Sequence, residues 1–333
     1  MDYLSHGLIL FSAFVLSMGF VPLAAHFARK YGVMDKPDNN LKKHGKAIPY
    51  LGGVAIFLAF FITLVTSQLV EHHSLRGLTG LILAGGMIFT LGLVDDIKKL
   101  SVPLKFAVQI LAAITLVIFG IKVQFLGNEL LNVLLTIIWV VGVTNAFNLL
   151  DIMDGLSSGI AVIAALTYFA LGVDAGKLFS PLASLALAGS CLGFLYYNFP
   201  PAKVFMGDAG SLFIGFMLAA LSLTESYTGI NNLAVITPVI ILGVPIFDTL
   251  FVMWMRAKQG KPVYFGSPDH FPLRLKRSGM SGRQVISIAY TAGLALAVVA
   301  YVSTKLPALQ AGTLYSIVFA YAIFAGVRLS RMK

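Results

Sequence analysis

The sequence predicts an all-α, polytopic integral membrane protein, and three observations lead to this fold class. Of the 333 residues, 58% are hydrophobic and only 11% are charged, whereas a soluble globular chain carries about 25% charged residues. Apolar runs recur along the whole chain, without the alternation expected of a membrane β-barrel. No linker separates them, so residues 1–333 are interpreted as a single transmembrane domain. This composition excludes that the chain is a soluble enzyme, a disordered tail or a nucleic-acid-binding module.

The apolar runs predict about eleven membrane-spanning helices, because a helix needs about 20 residues to cross the bilayer. One short or re-entrant run would reduce the number to ten. The first run has no basic segment before it and no small-residue cleavage site, so we interpret it as a retained helix. The runs lie at about 4–26, 51–70, 78–94, 104–121, 130–149, 158–173, 180–197, 209–225, 232–255, 284–303 and 309–327.

The basic residues predict the orientation of these helices. With the N-terminus outside, 20 of the 24 Lys and Arg residues fall on one face. Cytoplasmic loops carry such an excess of basic residues, so this face and the C-terminus are predicted to be cytoplasmic. Nine of the fourteen acidic residues lie on or near the same face of the plasma (inner) membrane. The chemistry is therefore expected in loops at about 27–50, 95–105, 145–159, 198–211 and 256–283.

The first of these loops joins a basic stretch to a Pro- and Gly-containing motif. Asp35-Lys-Pro precedes the basic stretch, which includes His44 and Lys46, and Ile-Pro-Tyr-Leu-Gly-Gly follows at 48–53. A basic juxtamembrane stretch can serve as a topology signal or contact anionic lipids. The alternative interpretation is that His44 and Lys46 bind substrate.

The second loop begins with two adjacent carboxylates, Asp95 and Asp96, followed by Lys98 and Lys99. A solvated helix end, neutralised by these lysines, is one interpretation. Acidic residues at a helix C-terminus oppose the helix dipole, however, so a compensating cation or metal is expected. Lys105, at the start of the next apolar run, is the predicted nearby basic residue.

The third loop carries four polar residues at intervals of three: Asn145, Asn148, Asp151 and Asp154. If this stretch is helical, the four side chains stack on one face. Polar residues at the end of an apolar span are costly unless they bind something. A hydrogen-bonded stripe between helices is the alternative.

The fourth loop places Asn198 and Phe205 just before Asp208, which stands between two glycines where the next apolar run begins. Asp208 alone could be a helix N-cap. Together with the two preceding clusters it predicts a hard-cation site. Oxygen ligands without Cys or His favour Mg²⁺, with Mn²⁺ as an alternative, over zinc.

The fifth loop, at 256–283, contains His270 and Arg274 within a basic stretch. The end of this loop could be an amphipathic surface helix that directs its basic residues to lipid headgroups. The functional interpretation is phosphate capture by the arginine and histidine.

The joint placement of these five clusters on one face predicts phosphoryl transfer at the membrane surface. One substrate would be a nucleotide-type diphosphate and the other a phosphate on a membrane lipid. A cation- or proton-coupled carrier is the alternative, which predicts carboxylates near mid-span with access from both faces. A non-catalytic lipid scaffold would leave the five clusters unexplained.

The motifs resemble the polyprenyl-phosphate N-acetylhexosamine-1-phosphate transferase superfamily, and the resemblance runs in order from Asp35 to about Arg277. It rests on D-x-P…H…IP-x-x-GG, the Asp-Asp pair, NAFN-x-x-D-x-x-DGL, N-x-x-PA-x-VFMGDAGS and the Val-Pro-Ile-Phe-Asp stretch at 244–248. The resemblance implies transfer of N-acetylhexosamine-1-phosphate, GlcNAc-1-phosphate above all, from a UDP-sugar to undecaprenyl or another polyprenyl phosphate. UMP is released, and the lipid-linked sugar enters cell-envelope polysaccharide synthesis.

The resemblance also implies which residues act on the phosphates. Asp208 would hold Mg²⁺, with Asn148 as a second ligand, at the diphosphate of the UDP-sugar. Asp95 and Asp96 would act on the lipid phosphate, and Lys105 would neutralise phosphate charge.

Further implied roles concern the nucleoside and the sugar. Phe205 would stack on uracil, Asp154 and Asn198 would hydrogen-bond around the uridine, and Asp151 would complete the polar centre. His270 and Arg274 would bind the diphosphate. Much of the bacterial family has a His-x-His-His run where this chain retains only the first histidine. The sugar, the polymer pathway and the oligomeric state, a homodimer included, are left open.

Overall fold

A computed structural model describes residues 3–35, 47–71, 75–225, 227, 229–262 and 267–332 of the chain. Two of the predicted substrate-binding residues, His44 and Lys46, lie outside the described residues. Their predicted role therefore stays a prediction.

The described residues form helices with one small sheet. A 3₁₀ helix spans Asn232–Ile236. The sheet pairs strand β1 (Met34–Asp35) with β2 (Ile48–Pro49) in antiparallel register, Met34 opposite Pro49. The α-helices are α1 (Tyr3–Tyr31), α2 (Gly52–Glu71), α3 (Leu75–Ile97), α4 (Val102–Ile118), α5 (Glu129–Leu150), α6 (Leu156–Asp174), α7 (Phe179–Asn198), α8 (Gly207–Ser222), α9 (Thr237–Ile241), α10 (Gly243–Lys258), α11 (Phe271–Arg277), α12 (Gly282–Ser303) and α13 (Ala308–Ser330).

The all-α, polytopic membrane class is confirmed. Within the described ranges, eight helices are long and apolar enough to cross a bilayer. The number is nine if a bent pair is one span, in which the 3₁₀ helix continues into α9 (together Asn232–Ile241) and α10 follows. That pair turns by 75° at its break. Two further apolar helices, α4 and α8, have only 17 and 16 residues. Every predicted apolar run contains a helix, but short and bent segments leave the number of spans a prediction.

Helix α8 lies at the centre of the bundle and positions the site. It packs against α2, α3, α5 and α6, and nearly all its residues are buried, including Phe213 and Phe216. A helix that is apolar on all sides is stable only when other elements surround it. The beginning of α8, at Gly207, is therefore fixed from several directions.

The predicted stack of four polar residues is wrong beyond its second member. Helix α5 ends at Leu150, and Asp151 takes a non-helical conformation with ψ at 50°. Asp154 lies in the turn that follows, where Gly155 has a φ of +75° before α6 begins. Only Asn145 and Asn148 share the helical face, since the chain reverses direction before the two aspartates can follow them.

Candidate active site

The site is built around the first turn of α8, which the segment before α2 holds by backbone hydrogen bonds. The amide of Phe205 donates to the carbonyl of Pro49 at 3.0 Å. The amides of Gly52 and Gly53 donate back to the carbonyls of Phe205 and Met206, both at 2.9 Å. The Ile-Pro-x-x-Gly-Gly motif is thus a backbone clamp on the loop that enters α8.

Two glycines make this clamp sterically feasible. A Cβ on Gly53 would lie 2.3 Å from the backbone nitrogen of Gly210, and one on Gly92 of α3 would lie 2.5 Å from Ala209 Cα. Real Cβ atoms do not approach backbone so closely, because the resulting overlap forces the chains apart. Glycine at both positions therefore lets α2 and α3 touch the backbone of α8 directly.

Asp96 reaches from the end of α3 to the first turn of α8. Its Oδ1 accepts a hydrogen bond from the backbone amide of Asp208 at 2.8 Å, and its Oδ2 accepts one from that of Ala209 at 3.0 Å. The amides of a first helical turn have no partner within their own helix. The carboxylate of Asp96 therefore satisfies two donors that α8 itself leaves open.

Asp95 points to a different set of partners. Its carboxylate forms an ion pair with Lys105 Nζ and accepts a hydrogen bond from the amide of Leu100 at 2.7 Å. Lys105 Nζ also lies 3.4 Å from Asp208 Oδ2. The predicted basic neighbour of the aspartate pair is confirmed, and its ammonium group joins carboxylates from α3 and α8.

Asn148 completes this cluster from α5. Its Nδ2 donates to Asp208 Oδ1 and to Ser211 Oγ, each at 2.9 Å. Asp95, Lys105, Asn148 and Asp208, which lie far apart in the sequence, are thus gathered at the ends of α3, α4, α5 and α8. We refer to these four residues as the ionic cluster.

Two side-chain amides, those of Asn145 and Gln109, form a pair one helical turn from the ionic cluster. The sequence analysis singled out Asn145 but not Gln109. Asn145 Nδ2 donates to Gln109 Oε1 at 2.6 Å, which joins α5 to α4. Gln109 is almost fully buried and follows Lys105 by four residues, so both lie on one side of α4. That spacing was the signal that could have identified Gln109.

Asp151 lies just past the end of α5, near the carboxylates of the site. Burial, followed by the negative charges of Asp208, Asp96 and Asp154, raises the pKa of Asp151 to about 8. Burial and neighbouring carboxylates favour the protonated form of such a group, whereas a bound cation would favour its ionised form. Asp151 therefore lies near the carboxylates of the site although it takes no part in a helical stack, and its predicted role there stays a prediction.

Asp154 and Asn198 hold the two loops beside the site together. Asp154 Oδ2 accepts a hydrogen bond from the amide of Ala202 at 2.9 Å, and Asn198 Oδ1 accepts one from that of Gly155 at 2.8 Å. Tyr290, which sequence reasoning missed, donates its hydroxyl to the carbonyl of Gly155 at 2.6 Å. Contacts of Asp154 and Asn198 with a uridine stay a prediction.

Phe205 lies at the end of this loop, beside a second aromatic ring. Its centroid is 6.0 Å from that of Tyr50. Burial and then a hydrogen bond with Asp35 raise the pKa of Tyr50, so its hydroxyl is neutral. The motif that clamps α8 therefore also brings an aromatic neighbour to the residue predicted to stack on a base. Tyr50 was not predicted, although it lies inside the quoted motif.

His270 and Arg274 lie in a hydrogen-bonded network of their own. His270 is 3% exposed, and its Nδ1 is 2.6 Å from Asp248 Oδ2. Arg274 is 8% exposed; it donates to Asp269 Oδ1 at 2.6 Å and to the carbonyls of Leu329 and Met332 at 3.1 and 2.8 Å. The structure ties both residues to α10 and α13, and their predicted phosphate contacts stay a prediction.

The side chains of the site suit a hard divalent cation. No group of three or more Asp, Glu, His or Cys residues preassembled for a metal occurs among the described residues. Mg²⁺, however, usually takes one or two carboxylates and completes its shell with water and phosphate. Asp208 and the amide oxygen of Asn148 are oxygen donors of this kind, and Lys105 already places one positive charge between Asp95 and Asp208. The donor chemistry therefore fits Mg²⁺.

Comparisons with known proteins place the chain among membrane transferases. The profile of Glycosyl transferase family 4 matches residues 78–226, a range that contains most of α3, all of α4 through α8 and the whole ionic cluster. The sequence is 36% identical over 303 residues to a probable undecaprenyl-phosphate N-acetylglucosaminyl 1-phosphate transferase of Bacillus subtilis, covering 87% of this chain and 84% of the relative.

Two further relatives have related names. A decaprenyl-phosphate N-acetylglucosaminephosphotransferase of Mycobacterium tuberculosis (strain H37Rv) is 36% identical over 282 residues, which cover 74% of this chain and 70% of the relative. An undecaprenyl-phosphate alpha-N-acetylglucosaminyl 1-phosphate transferase of Escherichia coli (strain K12) is 27% identical over 315 residues, with coverages of 89% and 83%. The similarity extends over most of each chain.

Proposed function

This chain belongs to the polyprenyl-phosphate N-acetylhexosamine-1-phosphate transferase superfamily, and from that premise we propose how its site performs the reaction. It is a transferase that moves N-acetylglucosamine-1-phosphate to a polyprenyl phosphate. The donor implied by the family is UDP-N-acetylglucosamine. A lipid phosphate oxygen attacks the sugar-side phosphorus, the bond from that phosphorus to UMP breaks, and UMP leaves.

The ionic cluster is the observation that carries this proposal. Lys105 supplies a positive charge between Asp95 and Asp208, at the point where four helices end. Phosphoryl transfer needs mainly positioning and stabilisation of charge on the phosphate oxygens. In the resting protein the two carboxylates keep the Lys105 ammonium group in place. When phosphate oxygens arrive, the same ammonium group binds them.

Asp95 is proposed to orient groups at the acceptor phosphate and not to act as a base. A phosphate monoester is already ionised near pH 7, since its second pKa is about 6. The acceptor therefore needs no strong base, and Asp95 serves to orient Lys105 and the lipid phosphate. We favour direct attack over a covalent aspartyl intermediate, because positioning and electrostatics suffice for this reaction class.

We propose Mg²⁺, or Mn²⁺ in its place, as the cofactor. Asp208 and Asn148 would hold the ion, with Asp151 nearby to release its proton. When bound, the ion would neutralise charge on the diphosphate of the donor. Asn148 would have to turn its amide over to present the oxygen, because in the structure its Nδ2 is the atom that faces Asp208.

The donor nucleoside is proposed to bind beside Phe205, where Tyr50 supplies a second ring. Aromatic faces bind bases by stacking, with a contribution of about 1–3 kcal/mol per base. His270 and Arg274 would reach the diphosphate only after a rearrangement of their network, so they are the outermost members of the proposed site.

The finer points of membrane placement are also proposals. We propose eleven spans, with α4, α8 and the bent pair α9–α10 counted among them. The N-terminus would be outside, and the site would face the cytoplasm at the plasma membrane. The asymmetry of basic residues supports this orientation.

The alternative of a coupled carrier has less support. A carrier needs carboxylates near mid-span with access from both faces. Here Asp95, Asp96 and Asp208 lie at helix ends, one helical turn or less from a loop.

The proposed function is tested by incorporation of radiolabel from UDP-GlcNAc into undecaprenyl phosphate by purified protein, with and without EDTA. We expect a lipid-linked product that requires Mg²⁺ or Mn²⁺. Asp208→Ala should retain less than about a tenth of the wild-type rate, since removing one charge-stabilising group costs roughly 10²–10³ in kcat. Absence of a lipid product with every UDP-N-acetylhexosamine tested would contradict the proposal, as would full activity in EDTA.

A further inference from the structure

The two adjacent aspartates at the end of α3 have different partners. Asp95 contacts Lys105 and the amide of Leu100, whereas both oxygens of Asp96 accept backbone amides of α8. Neighbouring residues on a helix point about 100° apart, because the helix has 3.6 residues per turn. The two carboxylates therefore serve different partners in this structure.

Helix α8 lacks an N-cap of its own. The residue at the N-cap position is Met206, whose side chain makes no capping hydrogen bond. Ser, Thr, Asp or Asn usually occupies this position and binds the free amides of the first turn. Asp96 performs that task from another helix, and a carboxylate there also interacts favourably with the positive end of the helix dipole.

Gly207 leaves the space that the Asp96 carboxylate occupies. Its φ is +70°, and a Cβ at this position would lie 2.5 Å from Asp96 Oδ2 and 2.8 Å from Oδ1. Asp96 therefore fits against the backbone at Gly207 only because no side chain is present. One turn earlier on α3, Gly92 brings the two helices into backbone contact at Asp208 and Ala209.

One of the two capped amides belongs to Asp208, whose side chain enters the ionic cluster. Asp208 donates its amide to Asp96, while its carboxylate contacts Asn148 and Lys105. Fixing the backbone nitrogen of Asp208 fixes the direction in which its carboxylate leaves the helix. A hydrogen bond to the neighbouring amide, that of Ala209, prevents the first turn from unwinding.

We propose that Asp96 is a positioning residue, which caps α8 and aims the Asp208 carboxylate, while Asp95 is the member of the pair that faces the phosphates. This inference rests on the proposed function of the site. It predicts that loss of Asp96 weakens cation binding through Asp208 without removing a group from the reaction itself. Residues that orient a metal ligand typically contribute 10–100-fold to metal affinity or activity.

The first test is hydrogen–deuterium exchange in metal-free protein, with fragmentation that resolves single amides. Asp96→Asn keeps one acceptor and Asp96→Ala keeps none, so the amides of Asp208 and Ala209 should exchange roughly fivefold faster in the alanine variant and less so in the asparagine variant. Asp95→Asn, the matched control, removes the same charge from the adjacent residue and should leave both amides protected. Unchanged exchange in both Asp96 variants would overturn the inference.

The second test compares affinity for the cation with the maximal rate. Mn²⁺ binding followed by electron paramagnetic resonance, and the Mg²⁺ concentration at half-maximal rate, should both shift by roughly 10–100-fold in Asp96→Asn. Saturating Mg²⁺ should then restore most of the wild-type rate. A normal Mg²⁺ requirement with a rate that no Mg²⁺ concentration restores would mean that Asp96 acts in the chemical step, and would overturn the inference.

Gly207→Ala provides a second variant in case Asp96→Asn does not fold. It displaces the Asp96 carboxylate without changing any ionisable group, and it should reproduce both shifts. Gly86→Ala is its control on α3, since a Cβ there meets nothing within 4 Å. Failure of wild-type protein to form a lipid product would count against the proposed function alone, because the exchange test does not depend on turnover.

Discussion

At the scale of single residues, the position of Lys105 explains why two carboxylates can lie close together at the end of the bundle. Its ammonium group lies between Asp95 and Asp208, and it comes from α4, a third helix. Without it, two acidic groups in a poorly solvated site would repel each other and lose much of their charge. One lysine therefore affects both the resting cluster and the binding of phosphate.

Replacing Lys105 tests whether its positive charge contributes to the rate of the reaction. We expect Lys105→Met to lower kcat by roughly 10²–10³, because a group that stabilises developing phosphate charge is removed. Initial rates at saturating UDP-GlcNAc and polyprenyl phosphate measure the effect. Lys99→Met, which removes an exposed lysine from the same loop, should keep the wild-type rate. Equal losses in both variants would indicate a general effect of basic charge.

Asp151 gives a prediction for the pH dependence of cation binding. Its pKa is raised to about 8 in the protein without metal, so it is mostly protonated at pH 6.5 and mostly ionised at pH 9. A cation must displace that proton, and Mn²⁺ affinity should therefore increase as the pH rises from 6.5 to 9. Calorimetry in two buffers of different ionisation enthalpy measures the proton released. Asp151→Asn should release less, and an unchanged proton count would contradict the assignment.

The individual residues of the site were largely predictable, but their partners were not. Asp95, Lys105, Asn148 and Asp208 stood out because charge and amides are rare in an apolar chain. Nothing in the sequence distinguished Asp96 from Asp95, since the difference depends on how α3 crosses α8. Contacts of that kind arise from tertiary packing, which local sequence patterns do not encode.

At the scale of secondary-structure elements, close backbone contact between helices determines where the site forms. The starts of α2 and α8 and the end of α3 approach one another at glycines, and the Asp96 side chain adds a contact between α3 and α8. Small residues at helix crossings let backbones approach in membrane bundles. The functional ends of these helices are therefore held by contacts that tolerate little adjustment.

A substitution at this crossing tests how rigid the contact is. Gly53→Ala would place a Cβ 2.3 Å from the backbone nitrogen of Gly210, and overpacking of this kind typically costs about 1–3 kcal/mol. We expect a lower Tm in thermal unfolding of the detergent-solubilised protein. Gly19→Ala on α1, where a Cβ meets nothing within 4 Å, should not lower the Tm, because alanine favours the helix more than glycine does. A stable Gly53→Ala variant would show that α2 and α8 can move apart.

The positions of the helices followed from hydropathy, whereas the ends of several did not. All eleven apolar runs contain helix, since long apolar segments must satisfy their own backbone hydrogen bonds in a bilayer. The end of α5 at Leu150 agreed with the apolar run at 130–149, whereas the non-helical conformation of Asp151 and the 75° bend between α9 and α10 were not predicted. Both depend on local turns that an average over many residues conceals.

At the scale of the whole molecule, the distribution of charge connects topology with chemistry. In the proposed topology, the face to which the sequence assigns 20 of the 24 basic residues is also the face of the ionic cluster. The same basic residues that orient a chain during insertion can attract anionic substrates to the finished protein. This coincidence leads us to expect that both phosphates arrive from the cytoplasmic side.

Cysteine labelling in intact cells tests the orientation directly. Cys191 is fully buried, so the natural chain should react little with a membrane-impermeant maleimide. We expect Lys177→Cys to react from outside the cell and Lys261→Cys to react only after permeabilisation, because these exposed residues lie on opposite predicted faces. The reverse pattern would invert the proposed topology.

Arg274 imposes an order of events on biosynthesis. Its guanidinium group hydrogen-bonds carbonyls of Leu329 and Met332, which follow it in the sequence by 55 and 58 residues. A ribosome that has just released the loop containing Arg274 has not yet made α13, so these bonds must wait for the last helix to insert. The hydrogen bonds of Arg274 are therefore completed late, and a nascent chain truncated before α13 would lack these two acceptors for its guanidinium group.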